Sequence, residues 1–188
     1  ETAQAWGARH PNLDVLRGVC FETDALKQMG ESRLAELQKA KIHFQTALSK
    51  STSATASEKM PGVTSWAAMT RLATVHLMLG ELDEAVEQFQ SALSEKSDHL
   101  EAQLGLAETV LFSGRPEEAL VLLEPHMNSG HPDAWVVAAC AADILSDMES
   151  MQQFTRTAVH LGSKAFVAPH RRIQMEALRC AASIYAGQ

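Results

Sequence analysis

The chain has 188 residues, 46% of them hydrophobic and only 5% aromatic, with a formal net charge of −7. That length and apolar content suit one domain with a buried core, and plentiful Ala and Leu without long β-branched runs favour packed helices over a sheet. The acidic balance argues against nucleic acid as the main ligand, since phosphates call for a broad basic surface, and no apolar run approaches the roughly 18 residues of a membrane span.

Glu1–His10 reads as the tail of a helix stopped by Pro11, because the residue before a proline is pushed out of the helical region. Helices are then predicted over Leu13–Met29 and Glu31–Ser49, with Gly30 as the break. Lys50–Ser65 gathers Ser and Thr ahead of Pro61-Gly62, the composition of a long surface loop. Apolar spacing beyond it predicts Trp66–Leu79, Leu82–Ser94, Leu100–Phe112, Pro116–Met127, Pro132–Leu145 and Met148–Leu161. Pro116 suits a first helical turn, where its missing N–H costs nothing, and Asp98 and Asp147 are expected N-caps. Pro125 is expected to kink or end its helix. Pro169–Tyr185 closes the chain as an amphipathic helix with Ile173, Met175, Leu178 and Ile184 among its apolar positions.

A pattern runs through the middle of the chain. Leu72-Ala73-x2-His76 followed by Ala85-x3-Phe89-x2-Ala92 recurs as Leu106-Ala107-x2-Val110 followed by Ala119-x3-Leu123. A third version is Trp135-x2-Ala138-Ala139-x2-Ala142 followed by Met151-x3-Thr155-x2-Ala158. Small residues fall where two helices touch closely and larger apolar ones fill the gaps. This resembles the tetratricopeptide repeat (TPR) family, and Ala40-x3-Phe44-x2-Ala47 matches its second half more loosely. The resemblance implies an all-α fold, an α-α superhelix of antiparallel helix pairs with a C-terminal capping helix. On it, residues 1–50 form irregular TPR-like helices that begin inside a truncated repeat, 51–65 a Ser/Thr-rich loop, 66–165 three TPR units and 166–188 the cap.

In TPR families the inner wall is lined by fixed positions of each first helix. Carried over by the alignment above, the resemblance implies a partner-binding groove at Thr70, Thr74, Glu101, Leu104, Glu108, Val136, Cys140 and Asp143. Leu77, Met78, Leu111 and Phe112 occupy similar positions and are expected in the core. The TPR clamps that hold acidic heat-shock-protein tails use basic and amide side chains at such positions, which are absent here. Glu108 would repel a carboxylate. The wall better suits an amphipathic or apolar protein segment carrying Lys or Arg. Charge is uneven along the chain: residues 156–188 carry one acidic and five basic side chains. Arg171, Arg172 and Arg179 are open to a local anion contact, while the plainer reading leaves Arg171 and Arg172 solvated at the start of the last helix.

No catalytic, cofactor-binding or metal-binding residues are assigned. The eight His residues lack ligand spacing, and His76 reads as a core or half-buried spacer. Glu117-Glu118 and Asp83-Glu84 open second helices, where they complement the helix dipole. Cys20, Cys140 and Cys180 are odd in number and far apart, pointing to free thiols in the cytoplasm or another reducing compartment. The expected function is a non-enzymatic scaffold or adaptor that holds a protein partner, without nucleic acid or direct membrane insertion. Two alternatives stay open: an obligate subunit of a larger complex, membrane-associated or not, and a TPR regulatory region of a larger enzyme, such as a bacterial glycosyltransferase, or of an envelope or secretion component.

Overall fold

Glycine sets the helix ends in the repeat region. Gly80 takes φ 78°, and its N–H closes the preceding helix on the carbonyls of His76 and Leu77, the left-handed geometry that favours a residue without a β-carbon. Ser146 occupies the same kind of turn at φ 59°, with its N–H donated to the Asp143 carbonyl and that of Asp147 to Ala142.

The computed structural model describes residues 11–53 and 65–186, and within them every regular element is a helix. These are α1 (Pro11–Ala25), α2 (Gly30–Ser53), α3 (Trp66–Leu79), α4 (Leu82–Glu95), α5 (Leu100–Phe112), α6 (Pro116–Asn128), α7 (Pro132–Ile144), α8 (Met148–Gly162) and α9 (Pro169–Ala186). The predicted ends of α3 and α5 coincide with these, and those of α4 and α6–α9 differ by a single residue. α1 differs most: Pro11 opens it, and it stops at Ala25 rather than Met29. α2 carries on through Ser53, so the expected loop does not begin at 50. The rest of that loop and Glu1–His10 lie outside the described residues. Asp147 caps α8 by accepting the Ser150 N–H at 3.1 Å. Asp98 does not hold the equivalent place, because α5 starts at Leu100 and His99 precedes it. α6 continues past Pro125 to Asn128.

The chain divides into two compact units, Glu1–Leu106 and Ala107–Gln188, with the boundary inside α5. Among the described residues of unit 1 there are two core clusters. One joins Val15, Ala25, Leu37, Phe44 and Ala47 to Ala68, Leu72 and Val75. The other joins Ala73 and Leu77 to Ala85, Phe89, Ala92 and Ala102. Polar contacts tie its helices as well. Lys50 Nζ donates to buried Asp14 at 2.6 Å, and Lys41 Nζ reaches Glu81 at 2.8 Å, beside the His76 ring. In unit 2 a cluster of Val136, Ala139, Ala142, Met151 and Ala158 receives Met175 and Leu178 from α9.

Candidate functional site

The first helices of the repeats carry the expected groove positions, and the structure turns most of them inward. In unit 1, Thr70 and Thr74 are buried, each hydroxyl donating to a carbonyl one turn back, Trp66 at 2.8 Å and Thr70 at 3.0 Å. Leu104 is fully buried, and Glu101 is half-buried. In unit 2, Val136 belongs to the core cluster, Cys140 is half-buried against it, and Asp143 is exposed. Thr70, Thr74, Leu104, Glu108 and Val136 are therefore corrected from groove-lining to buried positions. The physical reason is that the short or apolar side chains on a first helix satisfy themselves against their own turn and neighbours, while Glu108 is covered by polar groups of α9. The expected core residues Leu77 and Leu111 are buried, but Phe112 is 46% exposed at the end of α5.

Glu108 is the most consequential correction. It is 1% exposed, and α9 has come to it. The Arg171 Nε donates to Glu108 Oε2 at 3.0 Å, and Gln174 Nε2 donates to Oε1 at 2.7 Å. His170 Nε2 stands 3.5 Å from the same carboxylate. Arg171 also donates from Nη1 to Asp133 Oδ2 at 3.2 Å, and Asp133 accepts the Ala168 backbone N–H at 3.2 Å. The planar guanidinium suits this bridge between two carboxylates. Burial works against charge on Glu108, but Arg171, His170 and Gln174 together outweigh it and lower its pKa from 4.5 to about 2. Arg171 is thus neither solvated nor an anion site. It is the largest fully buried side chain among the described residues.

The same surroundings act on Cys140. Burial, with the charges of Glu108 and Asp143 added, pushes its thiol up to about 12, the opposite of what a nucleophile needs. Cys20 and Cys180 are free and exposed. Among the described residues, no three His, Cys, Asp or Glu side chains gather as metal ligands, and no helix is long and apolar enough to cross a membrane.

Unit 2 leaves apolar side chains uncovered at the ends of its first helices. Phe112 closes α5, and Ile144 and Leu145, 51% and 40% exposed, close α7 beside Asp143. The repeat pattern points to Asp143 but puts Phe112 in the core.

Helix pairs of this length, with small residues at their contacts, match the family model described as "Tetratricopeptide repeat" over residues 76–142. Residues 76–142 carry the tetratricopeptide repeat. Several solved structures share the fold of the chain. TTC0263 from Thermus thermophilus has a TM-score of 0.60 at 16% identity, covering 87% of this chain and 82% of that one. MamA from residue 41 to its end, from Desulfovibrio magneticus, has a TM-score of 0.52 at 14% identity, covering 91% and 92%. YrrB, described as a TPR protein with an unusual peptide-binding site, has a TM-score of 0.50 at 18% identity, covering 71% and 69%. No curated protein matches the chain at a significant level. At these identities the likeness of these structures carries the fold.

Proposed function

We propose that this TPR protein is a non-enzymatic scaffold that captures a protein segment at the ends of α5 and α7 in unit 2. TPR proteins in general bind protein or peptide partners, and the fold supports that coarse reading. The observation that carries the finer one is the exposure of Phe112 and Ile144, at 46% and 51%, on helices otherwise largely buried. Helix C-termini carry partial negative charge, Asp143 adds a full one, and neither last turn holds a basic residue. The complementary partner is an apolar segment with a Lys or Arg, because an acidic tail would meet like charge.

The test is capture from a native extract with the 188-residue chain as bait, beside an Asp143→Lys, Ile144→Asp variant. Both substitutions are at solvent-facing positions, so helicity by circular dichroism should not change. The expected outcome is one dominant partner, reduced at least tenfold with the variant. Equal capture by both chains would move binding off these helix ends. A set of subunits retained by both would favour a structural component of a larger complex.

A further inference from the structure

The contacts that hold α9 have a specific pattern. Arg171, Gln174, Met175 and Leu178 fall at i, i+3, i+4 and i+7, one face of a helix. Arg171 and Gln174 engage Glu108 and Asp133, and Met175 and Leu178, each 7% exposed, enter the cluster with Val136 and Met151. The opposite face leaves Ile173 and Ile184 50% and 63% exposed. Toward its C-terminal half a cleft of about 600 Å³ opens between α8 and α9, lined by residues that include Arg156, Val159, Arg179 and Ala182. A desolvated ion pair adds little net stability, so Met175 and Leu178, with half-buried Ala182 beside them and buried Val167 just ahead of the helix, supply much of the attachment. Such an element belongs to the least stable part of a fold.

The surface beneath α9 has a fixed demand of its own. Glu108 on α5 and Asp133 on α7 place two buried carboxylates around one guanidinium. Removing the cation would leave Asp133 without its charge partner and Glu108 with His170 alone, in a dry site and at high cost. Whatever helix lies there must bring an arginine or its equivalent.

We propose that this surface is a second binding site, for an amphipathic helix presenting Arg at i, an amide at i+3 and apolar residues at i+4 and i+7, and that α9 is its resident, displaceable occupant. This is the helix-in-groove mode of recognition, with the resident helix lowering apparent affinity for a competitor. The inference rests on the scaffold reading in taking the partner to be a protein segment.

The probe is a fluorescein-labelled peptide of residues 166–186, titrated by anisotropy into the full chain. In the Arg171→Ala chain the resident helix is loosened, and the peptide is expected to bind at least tenfold more tightly than to wild type. A peptide carrying Arg171→Ala should lose at least tenfold of that affinity. With Cys20→Ser and Cys180→Ser in place, Cys140 reports on the surface, because it packs against the cluster that holds Met175 and Leu178. Its labelling should be at least tenfold faster in the Arg171→Ala chain and slowed again by the peptide. No peptide binding to either chain, with Cys140 equally protected in both, would overturn the proposal. Should Arg171→Ala lose helicity beyond α9, Leu178→Ala gives the same test with both carboxylates still paired. Loss of helicity in both variants would make α9 an integral part of the unit and would also overturn it. Because the probe is the chain's own segment, failure here leaves the outcome of extract capture at Asp143 and Ile144 to be judged separately.

Discussion

A β-carbon at Gly105 would run into the Phe89 ring, and one at Gly18 would lie 2.7 Å from Phe44 Cε1. Both rings are fully buried, so each glycine is where an aromatic side chain presses against a helix backbone. Gly105→Ala should destabilise the protein by about 1–3 kcal/mol, the range for overpacking a close core, although alanine is the better helix former. A denaturant melt checks it, and an unchanged midpoint would mean that Phe89 moves aside freely. The phenylalanines were legible in the repeat pattern, while neither glycine was singled out. A glycine inside a helix was the available signal, since it costs about 1 kcal/mol against alanine and calls for a packing reason. Phe112 shows the converse. Its apolar side chain suggested core, but periodicity does not tell whether a neighbouring helix extends far enough to cover a helix end.

α9 was expected as an amphipathic cap, and its boundaries follow that expectation to within a residue. Its charged contacts did not follow from the sequence, because Arg171 meets Glu108 63 positions away. The pairing makes the element sensitive to acid. Glu108 faces Arg171, His170 and Gln174 on α9, with Asp133 across the guanidinium and Cys140 nearby on α7. Its pKa of about 2 in the folded state lies below the ordinary 4.5. The stability it contributes is therefore fully present above pH 4.5 and is lost as pH falls toward 2. Amide resonances of residues 169–186 should lose their dispersion in that window. A Glu108→Gln chain, which cannot titrate there, should show a flatter response between the same limits. An equally steep transition in the variant would assign the acid sensitivity to other carboxylates.

At the scale of the whole chain, each unit has apolar clusters of its own, and repeat arrays draw stability from neighbour to neighbour. Phe44→Ala, which removes a fully buried ring, should cost about 3–5 kcal/mol locally. Hydrogen exchange should then lose protection in α1–α3 and keep it in α7 and α8. Uniform loss along the chain would show a single cooperative block instead.

The sequence by itself determined the all-α repeat fold and most helix ends. Those features depend on local spacing, on glycine and proline at turns, and on small residues recurring where helices touch. Only the tertiary structure decided that the chain's own α9 brings Arg171 to Glu108, and that Thr70, Thr74, Leu104 and Val136 are buried. Repeat register orders positions along a helix, but burial and pairing depend on which distant element packs over them. That outcome is a balance of desolvation and contact that no local pattern records.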